Sequence, residues 1–275
     1  MSSIISSVCG NNVAESRELI LAYEEWAKQF PQVDIPVKHY IHGGMYAREI
    51  TIPKDTYITG QLYKFNHFDV MISGDITVST DTGERKRLTG YNVFEGLSGK
   101  KRAGYAHEDT TWITFHVAEG DNGDEIQKAI TVESFEELEN FYLELDTISY
   151  KNAIKTLGYT EAEVQEHAHE EDLVKMPDSF RHVYVSKSKI SGNGLYSKIG
   201  YEANSVVCLA RIQRNRTIAG RYTNHSHSAN CYTKVLDNGD VLLISKRKLL
   251  PGEELTINYI EAIDDRAVKG DLCPE

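Results

Sequence analysis

Residues 220–231 read GRYTNHSHSANC, with two His, two Asn, two Ser, one Arg and one Cys in twelve positions. Three readings compete for this stretch. It could be a metal site built from His225, His227 and Cys231, a glycosylation acceptor at Asn224-His225-Ser226, or a backbone-rich pocket for a small ligand. The rest of the chain has to decide between them.

The chain has 275 residues, enough for two modest domains. A content of 40% hydrophobic and 26% charged residues is that of a soluble globular protein. No run of eighteen apolar residues exists, so no membrane-spanning helix is expected. The opening MSSIISSVCGNNVAE lacks a basic start and a long apolar run, so no secretory signal is read there. Cys9, Cys208, Cys231 and Cys273 are scattered, without a Cys-x-x-Cys pair. That predicts reduced thiols in a cytoplasmic protein rather than disulfides or a structural zinc site. In such a compartment the Asn224 sequon is an accident of composition.

Charge is unevenly placed within a net −11. Lys plus Arg against Asp plus Glu is 12 to 15 in residues 1–120, 4 to 16 in 121–180 and 14 to 10 in 181–275. The acidic middle is read first as a solvated helical face, with self-docking onto the mildly basic C-terminal part as the alternative. The net charge argues against nucleic-acid binding.

Glu15 to Phe30 reads as a helix, since Leu19, Tyr23, Trp26 and Phe30 recur at helical steps and Pro31 stops the run. From Val37 to Val117 short Ile-, Val-, Thr- and Tyr-rich runs alternate with Gly, Asp and Asn turns such as Asp81-Thr82-Gly83. This pattern predicts a sandwich or small barrel. Ser134 with Glu137, and Thr160 with Glu163, are capping boxes for two helices, the first with an apolar stripe of Phe135, Leu138, Phe141, Tyr142 and Leu145. Short strands return after Arg181.

Three segments of the last part carry the chemistry. SKISGNGLYSKIG places Gly192 and Gly194 in a turn after a strand, where backbone groups can approach a ligand closely. GRYTNHSHSANC follows, and then PGEELTINY, which ends at Tyr259. This order resembles the SET-domain family of protein lysine methyltransferases, whose pattern is an early glycine turn, RFxNHSCxPN, and a late GEELTxDY. The resemblance covers about residues 181–262.

The resemblance implies S-adenosylmethionine as methyl donor and a protein substrate with a target lysine. It implies that Gly192, Asn193 and Gly194 flank the donor's methionine end. Arg221, Asn224 and His225 would hold its adenosine and carboxylate groups through side chain and backbone, and Tyr259 would be the active-site tyrosine. The middle and late motifs would also thread past each other in a knot-like crossing. No metal is expected: the loop offers no fourth ligand nearby, His227 stands where the family usually has Cys, and Cys273 alone cannot build the family's zinc cluster. The chemistry suits the parts. A lysine amine of pKa about 10.4 needs roughly 4–5 kcal/mol to lose its proton at pH 7, and a dry channel lined by a tyrosine hydroxyl and backbone carbonyls lowers that cost.

Two departures stand out. Asn258 replaces the usual Asp beside the tyrosine. The insert between VVCLARI and GRYTNHS, which in most members builds much of the peptide groove, is only QRNRTIA. Arg211, Arg214 and Arg216 cluster there, read as solvated strand ends or, alternatively, as a basic rim for an acidic substrate or for the acidic segment. The open side is expected to be completed by residues 124–175 or by a second subunit.

Residues 37–118 resemble small cupin-like proteins encoded by tailed bacteriophages. Cupins often bind a metal through several His and a Glu, but here His67 is followed by Asp69, and His42, His107 and His116 complete the set only in part. These His are read as hydrogen-bonded members of a scaffold. Pairing of such barrels implies a homo-oligomer.

The sequence therefore predicts a mainly β protein with an α-helical linker: an N-terminal helical segment (1–36), a cupin-like β-barrel (37–120), an acidic helical linker (121–179) and a minimal SET domain with a short tail (180–275). The expected activity is S-adenosylmethionine-dependent methylation of protein lysine, in the cytoplasm of a bacterial host if the protein is phage-encoded, with no membrane or nucleic-acid partner. The alternative is a non-catalytic oligomeric scaffold that keeps the SET fold.

Overall fold

The computed structural model describes residues 13–80, 85–168, 171–213 and 215–262. Arg214, Cys9, Cys273 and the Asp81-Thr82-Gly83 turn lie outside them. The chain divides into two compact units, Met1–Asn140 and Phe141–Glu275.

The first unit opens with helix α1 (Val13–Ala27). Ile20 and Tyr23 are buried beside Ala103, with Leu19, Trp26 and Tyr57 packed around them. The expected run to Phe30 is cut short. Phe30 N–H turns back to Ala27 O at 3.1 Å and its ring leans on Trp26. A proline disfavours helical geometry in the residue before it, so the helix unwinds ahead of Pro31.

Ten strands follow: β1 (Val37–His42), β2 (Met45–Ile52), β3 (Tyr57–Thr59), β4 (Leu62–Tyr63), β5 (His67–Ser73), β6 (Asp75–Ser79), β7 (Arg85–Thr89), β8 (Asn92–Gly96), β9 (Ala103–Ala106) and β10 (Thr110–Val117). They form a five-stranded sheet β1-β2-β10-β5-β8 and a four-stranded sheet β3-β9-β6-β7, with antiparallel pairing throughout. Alternate side chains of both enter one core: Ile50, Ile52 and Met71 from the first sheet, Ile76, Val78, Leu88 and Ala106 from the second. Period-two alternation is what places them on one face each. The expected barrel is thus two open sheets around a shared core, not one closed hydrogen-bonded ring.

Helix α2 (Gly123–Ile130) is capped by Asn122, whose Oδ1 accepts from the N–H groups of Asp124 and Glu125. It buries Ile126 and Ile130 against Tyr46 and Tyr63, and β11 (Thr131–Val132) pairs with β4. Helix α3 (Phe135–Thr156) starts as its capping residues require: Glu137 N–H donates to Ser134 Oγ at 3.1 Å and the Glu137 carboxylate accepts from Glu133 N–H at 3.0 Å. The division between the units falls inside α3.

In the second unit Thr160 and Glu163 form a reciprocal box at the start of α4 (Glu161–Ala168). The remaining strands are β12 (Val183–Lys187), β13 (Asn193–Ser197), β14 (Val206–Ile212), β15 (Asn215–Arg216), β16 (Asn224–His225), β17 (Cys231–Val235), β18 (Val241–Ser245) and β19 (Glu254–Ile257), with the one-turn-and-a-half helix α5 (Ile218–Tyr222) between β15 and β16. Two four-stranded sheets result, β12-β13-β19-β16 and β15-β14-β18-β17. Leu195 and Leu255 from one and Val207, Cys208, Cys231 and Leu243 from the other share a core with Val183, Ala219 and Leu249. The pairing of β16 with β19 is parallel, whereas every other pair of named strands in this unit is antiparallel. Among the described residues no helix is long and apolar enough to cross a membrane.

Gly220 lies in α5 against β14, and an added Cβ there would press into the carbonyl of Ala210 in that strand. Backbone cannot move aside as a flexible side chain can. Gly220→Ala is expected to destabilise the protein by about 1–3 kcal/mol, read as a lower urea midpoint at unchanged m-value.

Candidate functional site

The stretch 220–231 and the segment 253–259 are stitched together by their own polar groups. Asn230 is 5% exposed. Its Oδ1 accepts from Thr256 N–H at 2.9 Å and its Nδ2 donates to Glu254 O at 2.7 Å. Ser226 N–H donates to Ile257 O at 3.0 Å, continuing the β16–β19 pairing. An Asn side chain reproduces the donor and acceptor of a peptide group, so it can replace a missing strand neighbour.

The glycine turn is tied to the same place. Asn224 Nδ2 donates to Ser191 O (3.2 Å), Asn193 O (3.3 Å) and Glu254 Oε1 (2.9 Å). The Glu254 carboxylate also accepts from Ser188 Oγ at 2.8 Å and Tyr196 Oη at 3.1 Å. A Cβ on Gly194 would collide with that carboxylate, so this glycine makes room for Glu254. Gly192, at φ +50°, has nothing within 4 Å of where a Cβ would be and is exposed, as is Asn193. Gly192 is therefore the open face of the turn, and Gly194 the packed one.

Tyr259 lies two residues beyond β19, at the start of a helical turn. Its N–H donates to His225 Nδ1 at 3.1 Å, and its hydroxyl donates to Thr223 O at 3.3 Å. Burial pushes its hydroxyl up to about 12, so it is neutral. His225 is 3% exposed and its Nε2 lies 2.8 Å from Ser149 Oγ of α3. Burial lowers its pKa; Asp146 works against that shift and His227 adds to it. Tyr150, also on α3, packs on both rings, with centroids 6.3 Å from His225 and 6.2 Å from Tyr259.

The acidic segment holds both ends of residues 216–227. At one end Asp146 Oδ1, on a side chain 9% exposed, accepts from Ser226 Oγ (3.0 Å), His227 N–H (2.9 Å) and His227 Nδ1–H (2.8 Å). At the other, Asp172 accepts from Arg216 Nε at 2.5 Å and Arg221 Nη2 at 2.7 Å, while Val174 N–H donates to Arg216 O at 2.8 Å. Burial would raise the pKa of Asp172, but the hydrogen bonds from Arg216 and Arg221 outweigh it and hold the carboxyl at about 2. This corrects two expectations. Arg216, with 11% of its side chain exposed, is no solvated strand end. The acidic middle, though exposed along much of α4, docks through two of its carboxylates. Asp146, Ser149 and Asp172 were missed as functional candidates because nothing in their local sequence separates them from neighbouring exposed acids and hydroxyls.

Gly192, Asn193, Asn224, His225 and Tyr259 thus come together, whereas the Arg221 guanidinium is engaged by Asp172. The three candidate metal ligands go separate ways. His225 serves Tyr259 and Ser149, His227 serves Asp146, and Cys231 is buried in the core beside Cys208. Burial pushes the Cys231 thiol up to about 12, so it is no thiolate.

In the first unit, His107 Nε2 meets Thr77 Oγ1 at 2.8 Å, and His67 stacks on His116 with centroids 4.7 Å apart. His42 is exposed on β1. His67 and Asp69 line a cavity of about 110 Å³ with Arg48, Gln61, Arg102 and Trp112. Among the described residues no three His, Cys, Asp or Glu side chains gather as a metal site. His116 departs from the expected hydrogen-bonded His: it is 3% exposed and neither ring nitrogen has a partner. Burial, with His67 and Arg48 adding to it, lowers its pKa to about 3.

Residues 44–260 match the family model described as the SET domain. The histone-lysine N-methyltransferase trr of Drosophila melanogaster is 26% identical over 141 residues, covering 38% of this chain and 6% of that protein. The N-lysine methyltransferase KMT5A-B of Xenopus laevis is 32% identical over 91 residues, covering 32% of this chain and 26% of that protein. The chain thus spans about a quarter or less of the curated relatives it matches. Among solved structures, a cupin superfamily protein from Desulfitobacterium hafniense is similar over 33% of this chain and 83% of its own, with 8% identity and TM-score 0.28. KdgF from Halomonas sp. is similar over 33% of this chain and 87% of its own, with 18% identity and TM-score 0.28.

Asp146→Ala is expected to cost about 2–4 kcal/mol, because it leaves three converging donors without their acceptor; chemical denaturation reads this directly. For His116 the sign is fixed by its neutral folded form. The unfolded chain takes up a proton near pH 6.5 and the folded chain only near 3. His116 therefore contributes its full stability above about pH 6.5 and loses it as pH falls toward 3, with a slope of up to about 1.4 kcal/mol per pH unit. His116→Phe is expected to flatten the acid limb of the stability–pH curve.

Proposed function

The chain belongs to the SET domain family, and on that premise we propose that it methylates protein lysine side chains with S-adenosylmethionine, at a site built around Tyr259, Thr223 and the Ser191–Asn193 turn. The observation that carries the reading is the seating of the Tyr259 hydroxyl 3.3 Å from the Thr223 carbonyl. Two oxygens, one of them on a hydroxyl held neutral by burial, form a small polar spot beside buried aromatic rings. A lysine amine entering such a spot loses solvation, which favours its neutral, nucleophilic form, and the paired oxygens accept its N–H groups and aim its lone pair.

The donor, when bound, supplies an electrophilic methyl group on a sulfonium. The residues present fit it through backbone more than through side chains. The Asn224 Nδ2 is spent on Ser191, Asn193 and Glu254, both nitrogens of His225 have partners, and Arg221 is bonded to Asp172. What is open is the turn itself, at Gly192 and Asn193. Asn224, His225 and Arg221 then shape the pocket instead of grasping the ligand, and Asn193 and Gly192 touch it. Gly194 is a packing residue for Glu254.

Residues 141–168 and 171–176 take the place of the short insert. Asp172 and Val174 lie against Arg216, inside QRNRTIA, where longer relatives of the pattern would carry their groove. The substrate class is a protein lysine, supported by the activities for which both relatives are named. A cytoplasmic setting is supported by the unpaired thiols of Cys208 and Cys231.

The test is methyl transfer from labelled S-adenosylmethionine to purified histones and to a bacterial lysate, with donor binding followed by calorimetry. Tyr259→Phe is expected to lower turnover about 10²-fold or more while leaving donor affinity within about threefold. Equal turnover removes Tyr259 from the mechanism. Neither binding nor transfer by the native chain returns the non-catalytic scaffold reading.

A further inference from the structure

We propose that Ser149 of α3 is a positioning residue for Tyr259, acting through the tautomer of His225. The proposal rests on the reading of Tyr259 above and adds to it a residue that lies outside the three motifs.

The argument is one of hydrogen-bond direction. The Tyr259 backbone N–H can only donate, and it points at His225 Nδ1 from 3.1 Å. Nδ1 must therefore carry a lone pair and no proton. A neutral imidazole has one N–H, so that proton sits on Nε2. Nε2 lies 2.8 Å from Ser149 Oγ, which accepts it. His225 is 3% exposed, so no bulk water offers a substitute acceptor. Without Ser149 the Nε2–H form would leave a buried donor unpaired, and the Nδ1–H form would set two N–H groups against each other at Tyr259. Burial keeps the ring neutral, and the Asp146 carboxylate, His227, Tyr150 and Tyr259 are the titratable groups that face it.

The consequence reaches the hydroxyl. Tyr259 lies two residues beyond β19, at the start of a helical turn, where no strand partner holds its amide. The bond to Nδ1 fixes the Tyr259 backbone, and that backbone sets where Oη lies relative to Thr223 O. Asp146, one turn earlier on the same face of α3, anchors the helix to Ser226 and His227, so Ser149 is held opposite His225 and cannot drift.

The experiment uses the full chain labelled with ¹⁵N-histidine and ¹⁵N-tyrosine. Long-range ¹H–¹⁵N spectra are expected to show His225 protonated at Nε2 in the native chain. In Ser149→Ala they are expected to show a mixture of tautomers, with the Tyr259 amide shifted and its hydrogen exchange faster. Ser149→Thr, which keeps the hydroxyl, is expected to restore the native pattern. In transfer assays Ser149→Ala is expected to lower kcat by about 10- to 100-fold with KM and donor affinity close to native, and with the melting midpoint lowered by a few degrees at most. An Nδ1–H ring in the native chain overturns the proposal. So does an unchanged tautomer and Tyr259 amide in Ser149→Ala, or an unchanged kcat in a chain that is active. If the native chain transfers no methyl group, the functional reading fails, and the tautomer and Tyr259 amide still judge the positioning role.

Discussion

Two short segments about thirty residues apart in sequence hold each other by a parallel pairing of only two residues, Asn224 and His225 with Thr256 and Ile257. So short a pair has little stability of its own. It persists because side chains extend it at both ends: Asn230 satisfies the backbone of residues 254–256, and Asn224 bridges Glu254 to the glycine turn. Every group proposed to act on a substrate hangs from this pairing. Thr223 precedes it, Tyr259 follows it, and the Gly192 turn is tied to its first residue. The polarity of GRYTNHSHSANC is thus accounted for by internal bonding. The segment uses its Asn and Ser side chains as peptide groups that the chain itself does not supply.

A second layer of constraint comes from α3 and the segment after α4. The buried carboxylate of Asp146 gathers three donors from two consecutive residues, and a carboxylate with that many partners is far from the exposed ion pair that contributes almost nothing. Asp172 works in the same way on two guanidinium groups. Both hold in place the stretch between Arg216 and His227, and Asp172 does so from beside the short QRNRTIA connection.

The first unit follows different physics. Its two sheets bury alternate Ile, Val, Leu and Met residues, and one region of its polar interior is centred on Asp69, which takes hydrogen bonds from Trp112 and Arg102. His116 sits beside that region with no hydrogen-bond partner for its ring and survives as a neutral aromatic packed among Tyr63, Tyr46 and His67. A buried imidazole of this kind makes the unit sensitive to acid.

The sequence by itself determined the mainly β class, the capped helices at Ser134 and Thr160, and the three motifs of the second unit. Those signals are local, because a strand's alternation, a capping box and a Gly turn are written within a few neighbouring residues. It placed Tyr259 at the end of a strand, whereas the structure puts it two residues beyond β19, at the start of a helical turn. Only the tertiary structure decided which partners those motifs meet. Gly194 reads as a ligand-facing glycine until Glu254 is seen filling the space beside it. Arg221 reads as a ligand-binding cation until Asp172 is seen on it. Asp146 and Ser149 read as ordinary members of an acidic helix, yet they fix a loop and an imidazole some eighty residues away. The reason is physical: whether a polar side chain serves a ligand or the protein depends on burial and on the direction of its hydrogen bonds. Both are set by chain segments that sequence proximity does not reveal.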